Sequence, residues 1–175
     1  MKRNFVTLAL TLLFLSLAVS AHDPRTTAKE VGVSLAIEGS GNLMIKYKTM
    51  HFNQQTYERM KTNDQARQGM NKRIWNNIGT AELGFDLVIG SETLPKGTYQ
   101  FGLNVEPADQ FSLVFASGGQ AKMIPLKVET GTDVPYLTLS LSPTDAVDTF
   151  VLEGRCGVFR GTAPVKVPSL GEHKH

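Results

Sequence analysis

The chain of 175 residues is short of the residues that usually announce a chemistry. It has one cysteine, Cys156, so no internal disulfide can form. It has one tryptophan, Trp75, and four histidines. No Gly-x-Ser-x-Gly nucleophile motif occurs, since Gly39-Ser40-Gly41 lacks the spacing. There is no phosphate-binding glycine loop and no Cys/His zinc spacing. Charge of one sign is lacking too. The 18 Lys and Arg face 16 Asp and Glu, and two of the basic residues, Lys2 and Arg3, precede an apolar stretch. Basic attraction to nucleic acid is excluded as an organising feature.

That apolar stretch is the one long hydrophobic run. It covers 5–19, about 15 residues, and Val19-Ser20-Ala21 follows it. A basic start, an apolar middle and small residues before a cut describe a secretory signal peptide, with cleavage expected after Ala21. The run is shorter than the ~20 residues that span a bilayer, and none of spanning length follows, so no transmembrane segment is expected in the mature chain. The expectation is an exported protein, periplasmic or secreted. Removing 21 residues from 175 leaves 154, one domain's worth, with 16 basic and 16 acidic side chains. Residues 22–30 read as a flexible lead-in, 31–168 as the folded domain and 169–175 as a polar tail that includes His173 and His175.

Within the domain the recurring signal is a period of two. Ala81, Leu83, Phe85, Leu87 and Ile89 alternate with polar or small residues, and Tyr99, Phe101, Leu103 and Val105 repeat the pattern. Gly90, Pro95 and Gly97 lie between the two runs. This predicts a central hairpin with one buried face. Similar short strands are expected at 31–37, 43–52, 110–116, 123–129, 136–141, 149–153 and 156–167, with turns at 38–42, 106–109, 117–119, 130–133 and 143–145. Nine alternating strands with little helix predict an all-β domain, an antiparallel β-sandwich or jelly-roll-like fold, with a closed barrel as the alternative.

Residues 53–77 break the pattern. They are polar, with five basic and two acidic side chains between Glu58 and Arg73. Tyr57 and Met60 stand three apart, and Met70 and Ile74 four apart. This predicts short helices near 54–60 and 68–74, or a long loop with helical turns. The basic set Arg59, Lys61, Arg67, Lys72 and Arg73 reads as a solvated face.

Around this segment the chain resembles a known family. Trp75-Asn76-Asn77-Ile78-Gly79-Thr80 precedes the first central strand, which ends in Ile89-Gly90, and Leu94-Pro95-Lys96-Gly97-Thr98-Tyr99 follows. The last run is similar to the Leu-Pro-Ala-Gly-Thr-Tyr signature of the exported bacterial proteins catalogued as domain of unknown function 2911. An early strand ending in Tyr47 fits as well. The family usually has Arg directly after the Trp and Gly-Ala-Asn soon after it, where this chain has Asn76 and Gly79-Thr80. The resemblance implies export and a β-rich fold. It implies no activity and no functional residues.

Three constellations are candidates for a site. Trp75, with Tyr57, Asn76 and Asn77, offers aromatic faces beside amide hydrogen-bonders, a pattern suited to a small molecule or a glycan. The sheet face carrying Glu82 and Asp86 would lie opposite the 57–77 segment. If Ala21 is the last leader residue, His22 becomes the N-terminus, and its amine and imidazole could chelate copper with His51 as a third nitrogen. Cys156 beside Arg155 reads as a small buried hydrophobe near a strand end. The functional expectation is a non-enzymatic module binding a small molecule, a glycan or an envelope protein, with a copper protein or copper enzyme as the alternative.

Overall fold

The computed structural model describes residues 28–171. The expected signal peptide, the cleavage point, His22 and the terminal His173 and His175 lie outside the described residues. The fold is an all-β sandwich of two antiparallel sheets. The first sheet holds β1 (Glu30–Ile37), β2 (Gly41–Lys48), β3 (Gly79–Leu83), β6 (Gly97–Val105), β7 (Phe111–Ser117) and β8 (Gln120–Pro125), in the order β1-β2-β3-β6-β7-β8. The second holds β4 (Leu87–Ile89), β5 (Glu92–Leu94), β9 (Lys127–Pro143) and β10 (Thr149–Lys166), in the order β5-β4-β10-β9.

The central hairpin expected over 81–105 is not a hairpin. β3 pairs with β6 in the first sheet, while β4 pairs with β5 and β10 in the second. The chain changes sheets at 84–86. The alternation survives because both halves point their odd-numbered residues into the same core, Ala81 and Leu83 from one side and Leu87 and Ile89 from the other. Gly84 makes the crossing: its amide donates to the Asn42 carbonyl, and a Cβ there would lie 2.7 Å from the Asn42 nitrogen. Asp86 accepts the Lys96 amide at 2.7 Å and ties the crossing to the start of β6.

The strands expected at 136–141, 149–153 and 156–167 belong to two longer ones. β9 runs through 130–133 without turning, and β10 runs through Gly154 and Cys156. Their ladder shifts register on either side of Gly157, which has φ 59°. Such an irregularity bends the ribbon without ending it. The stretch after β2 then closes one side of the sandwich. The Phe52 amide donates to Pro135 and the Leu137 amide to Met50, so 50–52 lies along β9. The core between the sheets is apolar throughout, with Ile45, Leu87, Leu94, Phe101 and Val165 at 0 % exposure.

The 53–77 segment is helical: α1 (Gln54–Thr62), α2 (Asp64–Met70) and a π-helical turn, Asn71–Trp75. Asn53 and Asn63 cap the two helices by accepting the Thr56 and Ala66 amides. The three-residue spacing of Tyr57 and Met60 does what a helical face should, and both are buried. One member of the expected solvated basic set departs from it. Arg67 is buried, donating to the Met60 carbonyl and to Asp64.

Candidate functional site: a cavity under the helical cap

α1, α2 and the π turn cover one end of the sandwich, and two side-chain devices hold them there. Asn71 both donates to the Val105 carbonyl, at 2.8 Å, and accepts the Val105 amide, at 3.1 Å. Its amide group thereby acts as a strand partner for the stretch of β6 that β3 does not reach. Tyr57 donates its hydroxyl to Asp109 at 2.5 Å, and Lys61 pairs with the same carboxylate at 3.0 Å. Asp109 and Ala108 sit at φ 58° and 57° in the β6–β7 turn, which aims the Asp109 carboxylate at α1.

The cap does not fill the space beneath it. A cavity of about 620 Å³ lies between α1, α2, the π turn and the two sheets. Its floor is an aromatic cluster. The Tyr57 ring is 5.0 Å from Phe159, 5.6 Å from Phe52 and 6.1 Å from Phe111, and Phe111 is 5.2 Å from Phe159. Met60, Met70, Trp75 and Leu103 add apolar wall. Thioether side chains adapt to different shapes better than branched ones do. The exposed members of the lining, His51, Asn53, Arg59 and Arg73, mark the mouth.

Trp75 ends the π turn and is half-buried. Its indole N–H is buried with no hydrogen-bond partner. A lost partner for a buried donor costs on the order of 1–3 kcal/mol, so this group is poised to gain from an acceptor. π-helical turns are themselves concentrated at functional sites. The Asn76 side-chain oxygen is also buried and unpartnered.

The candidates named from the sequence separate. Tyr57, Trp75 and His51 line the cavity. Asn76 is half-buried beside it, with its backbone against Gly102, and Asn77 is exposed. Glu82 and Asp86 are not brought to the 57–77 segment. Glu82 is exposed at the far end of β3 from Gly79, and Asp86 lies in the sheet crossing, so they share neither a strand nor a face with the cap. Nothing in the sequence singles out Phe52, Phe111, Phe159 or Arg155, because each belongs to an ordinary strand pattern. The break at Gly157, flanked by Arg155 and Phe159, is the one local signal nearby.

The ionisable lining is poor in acid–base groups. Burial pushes the Cys156 thiol up to about 12, with Asp133 adding to the effect. Tyr57 is also raised, by burial first and then by the Asp109 carboxylate that accepts its hydrogen bond. Both stay protonated at neutral pH. Among the described residues, no three His, Cys, Asp or Glu side chains cluster as a metal site, and Cys156 is free. His51 stacks edge-on against Tyr136, with centroids 5.2 Å apart.

No protein-family model, curated protein or solved structure matches this chain. Among the described residues, no helix is long and apolar enough to cross a membrane.

Proposed function

We propose that the protein is a non-enzymatic binding module of the bacterial envelope, exported by its leader, and that it holds a small apolar ligand under the helical cap. The observation that carries this reading is the cavity. Its volume of about 620 Å³ falls within the ~300–1,000 Å³ of small-molecule sites. Its lining is aromatic and thioether-rich with a few polar groups, as such sites are. An apolar wall open to water gains when an apolar ligand covers it. The lining also supports a binding role over a catalytic one. Its interior ionisable groups, Cys156 and Tyr57, hold their protons, and guanidinium groups stay charged near neutral pH.

The test uses the neutral apolar fluorophore N-phenyl-1-naphthylamine. The folded chain should bind one equivalent, with a saturable rise in emission and a change in Trp75 fluorescence. Ala66→Phe places a ring into the cavity from α2 and should abolish the binding without unfolding the chain. Non-saturable binding, or binding unaffected by Ala66→Phe, would remove the cavity from consideration.

A further inference from the structure

Among the described residues β1 pairs with β2 alone, and its other edge is open. The Lys29 carbonyl accepts the Thr49 amide, so the odd-numbered residues of this strand turn their N–H and C=O towards β2. The even ones, Glu30, Gly32, Ser34 and Ala36, turn theirs away from the sheet. All four are exposed, and three are too small to keep a second backbone at a distance. β9 lies against β1, but its own groups go to Phe52, Met50 and Tyr47 instead. The apolar stripe of β1 is incompletely covered as well. Val31 is 37 % exposed, and Val33, Leu35 and Ile37 are half-buried. Natural sheets guard their edges with lysine, proline, bulges or very short strands. The other three edges of this sandwich are guarded in those ways. β8 carries Pro125 and has Lys122 paired with Glu92 of β5, and β5 is three residues long. β9 carries Pro135 and is hydrogen-bonded along 50–52. β1 has eight residues in unbroken register, with no proline and no lysine.

We propose that β1 is a homodimerisation edge, which pairs antiparallel with β1 of a second copy about a two-fold axis through Val33. The six-stranded sheet of each copy then continues into the other. This inference is independent of the cavity. A two-fold axis perpendicular to the sheet keeps both cores on one side, so odd residues must oppose odd ones. Centred on Val33, the ladder sets Glu30 against Ala36 and Gly32 against Ser34 of the partner copy, and every free N–H and C=O of β1 finds a mate. Val31 faces Leu35 and Val33 faces itself, which covers the half-exposed stripe. At both ends Lys29 comes next to Glu38 of the partner copy, and neither forms an ion pair with a described residue. Centring the axis on Ser34 instead would set Glu30 directly against Glu38, like charge on like. The strand is thus complementary to itself in one register, which favours a second copy over a foreign peptide.

Sedimentation equilibrium of the purified chain over a wide range of concentration tests this. The mass should rise from one chain to two and stop there, because an isologous contact closes. An eight-residue edge buries less than a standard interface, so the dimer should dissociate on dilution. Ser34→Pro removes an amide that faces away from β2, leaves the β1–β2 ladder whole, and should weaken association by about tenfold or more. Register is read by cross-linking in a Cys156→Ala background, with copper–phenanthroline as the oxidant. Val33→Cys lies on the axis, where facing Cα atoms are about 4.5 Å apart, and should give a disulfide-linked dimer. Leu35→Cys, about 14 Å along the strands from its counterpart, should not. Where Ser34→Pro does not fold, these two cysteine variants decide. A dimer that survives Ser34→Pro, or that cross-links equally through both cysteines, would overturn β1 as the interface. A chain monomeric throughout would overturn the second copy as occupant. Capture of the synthetic segment 29–38 by that monomer would assign the edge to an extended peptide of another protein instead.

Discussion

Gly102 has no side chain because the backbone of Trp75 and Asn76 occupies the place where one would be. A Cβ there would lie 2.3 Å from the Asn76 carbonyl carbon and 2.6 Å from the Trp75 oxygen. Neither atom can rotate away, since both are main chain. Gly102→Ala should therefore destabilise the protein by about 1–3 kcal/mol, the usual cost of forcing atoms into filled space. It should also loosen the π turn that presents Trp75. Urea unfolding measures the first effect, and Trp75 emission in the folded state the second. A variant as stable as the parent would mean that the π turn does not press on β6. In the sequence, Gly102 is one of several glycines in an alternating strand, and nothing marks it as the seat of the cap. Cys156, expected as a small buried hydrophobe near a strand end, is half-buried in the middle of β10, where burial pushes its thiol up to about 12. At pH 8 it should react with iodoacetamide far more slowly than a free thiol near its ordinary value of 9.0. Intact-mass labelling before and after urea checks this, and rapid labelling of the folded chain would contradict it.

At the scale of elements, periodicity was a good guide to burial and a poor guide to pairing. The five odd residues from Ala81 to Ile89 are all buried. Alternation reports which side of a strand faces apolar material, and a chain passing from one sheet to the facing sheet keeps that side inward. The crossing at Gly84 is thus invisible to it, and so is the merging of short runs into β9 and β10. The helical segment was legible through Tyr57 and Met60, while its attachment depends on partners 34 and 52 residues away, Asn71 with Val105 and Tyr57 with Asp109. That attachment makes a pH prediction. The Asp109 carboxyl is held below its ordinary 3.8, chiefly by the Tyr57 hydroxyl and then by Lys61. A lowered carboxyl contributes stability that is present in full above 3.8 and is lost as pH falls through the lower folded value. Tyr57 and Lys61 are the titratable groups that act on it, and both are raised, so neither titrates in acid. Asp109→Asn should melt below the parent at neutral pH, and the two melting temperatures should converge as pH drops below about 4. A gap that stays constant across that range would show that the latch owes nothing to ionisation.

At the scale of the molecule, the cavity belongs to no single element. Its wall is assembled from the β2–α1 link, both helices, the π turn, β6, β7, β9 and β10. A period of two or of 3.6 describes one element at a time, and so Tyr57 and Trp75 could be picked out from sequence while Phe111, Phe159 and Arg155 could not. The same distributed wall couples occupancy to folding. A ligand that binds only the folded state at 100 times its dissociation constant stabilises it by about 2.7 kcal/mol. For a chain of this size that raises the melting temperature by about 5–10 °C. Stabilisation alone does not locate the ligand, but hydrogen exchange does. The cap is held by a few side-chain contacts, and its amides should exchange faster than those of β3 or β6 in the free protein. Saturation with N-phenyl-1-naphthylamine should slow exchange first at 54–75 and at 154–161, which both line the cavity. The edge strands β1 and β8 should be left as they were. Uniform slowing over the whole chain, with no excess at those two segments, would mean that the probe stabilises the fold from somewhere other than beneath the cap.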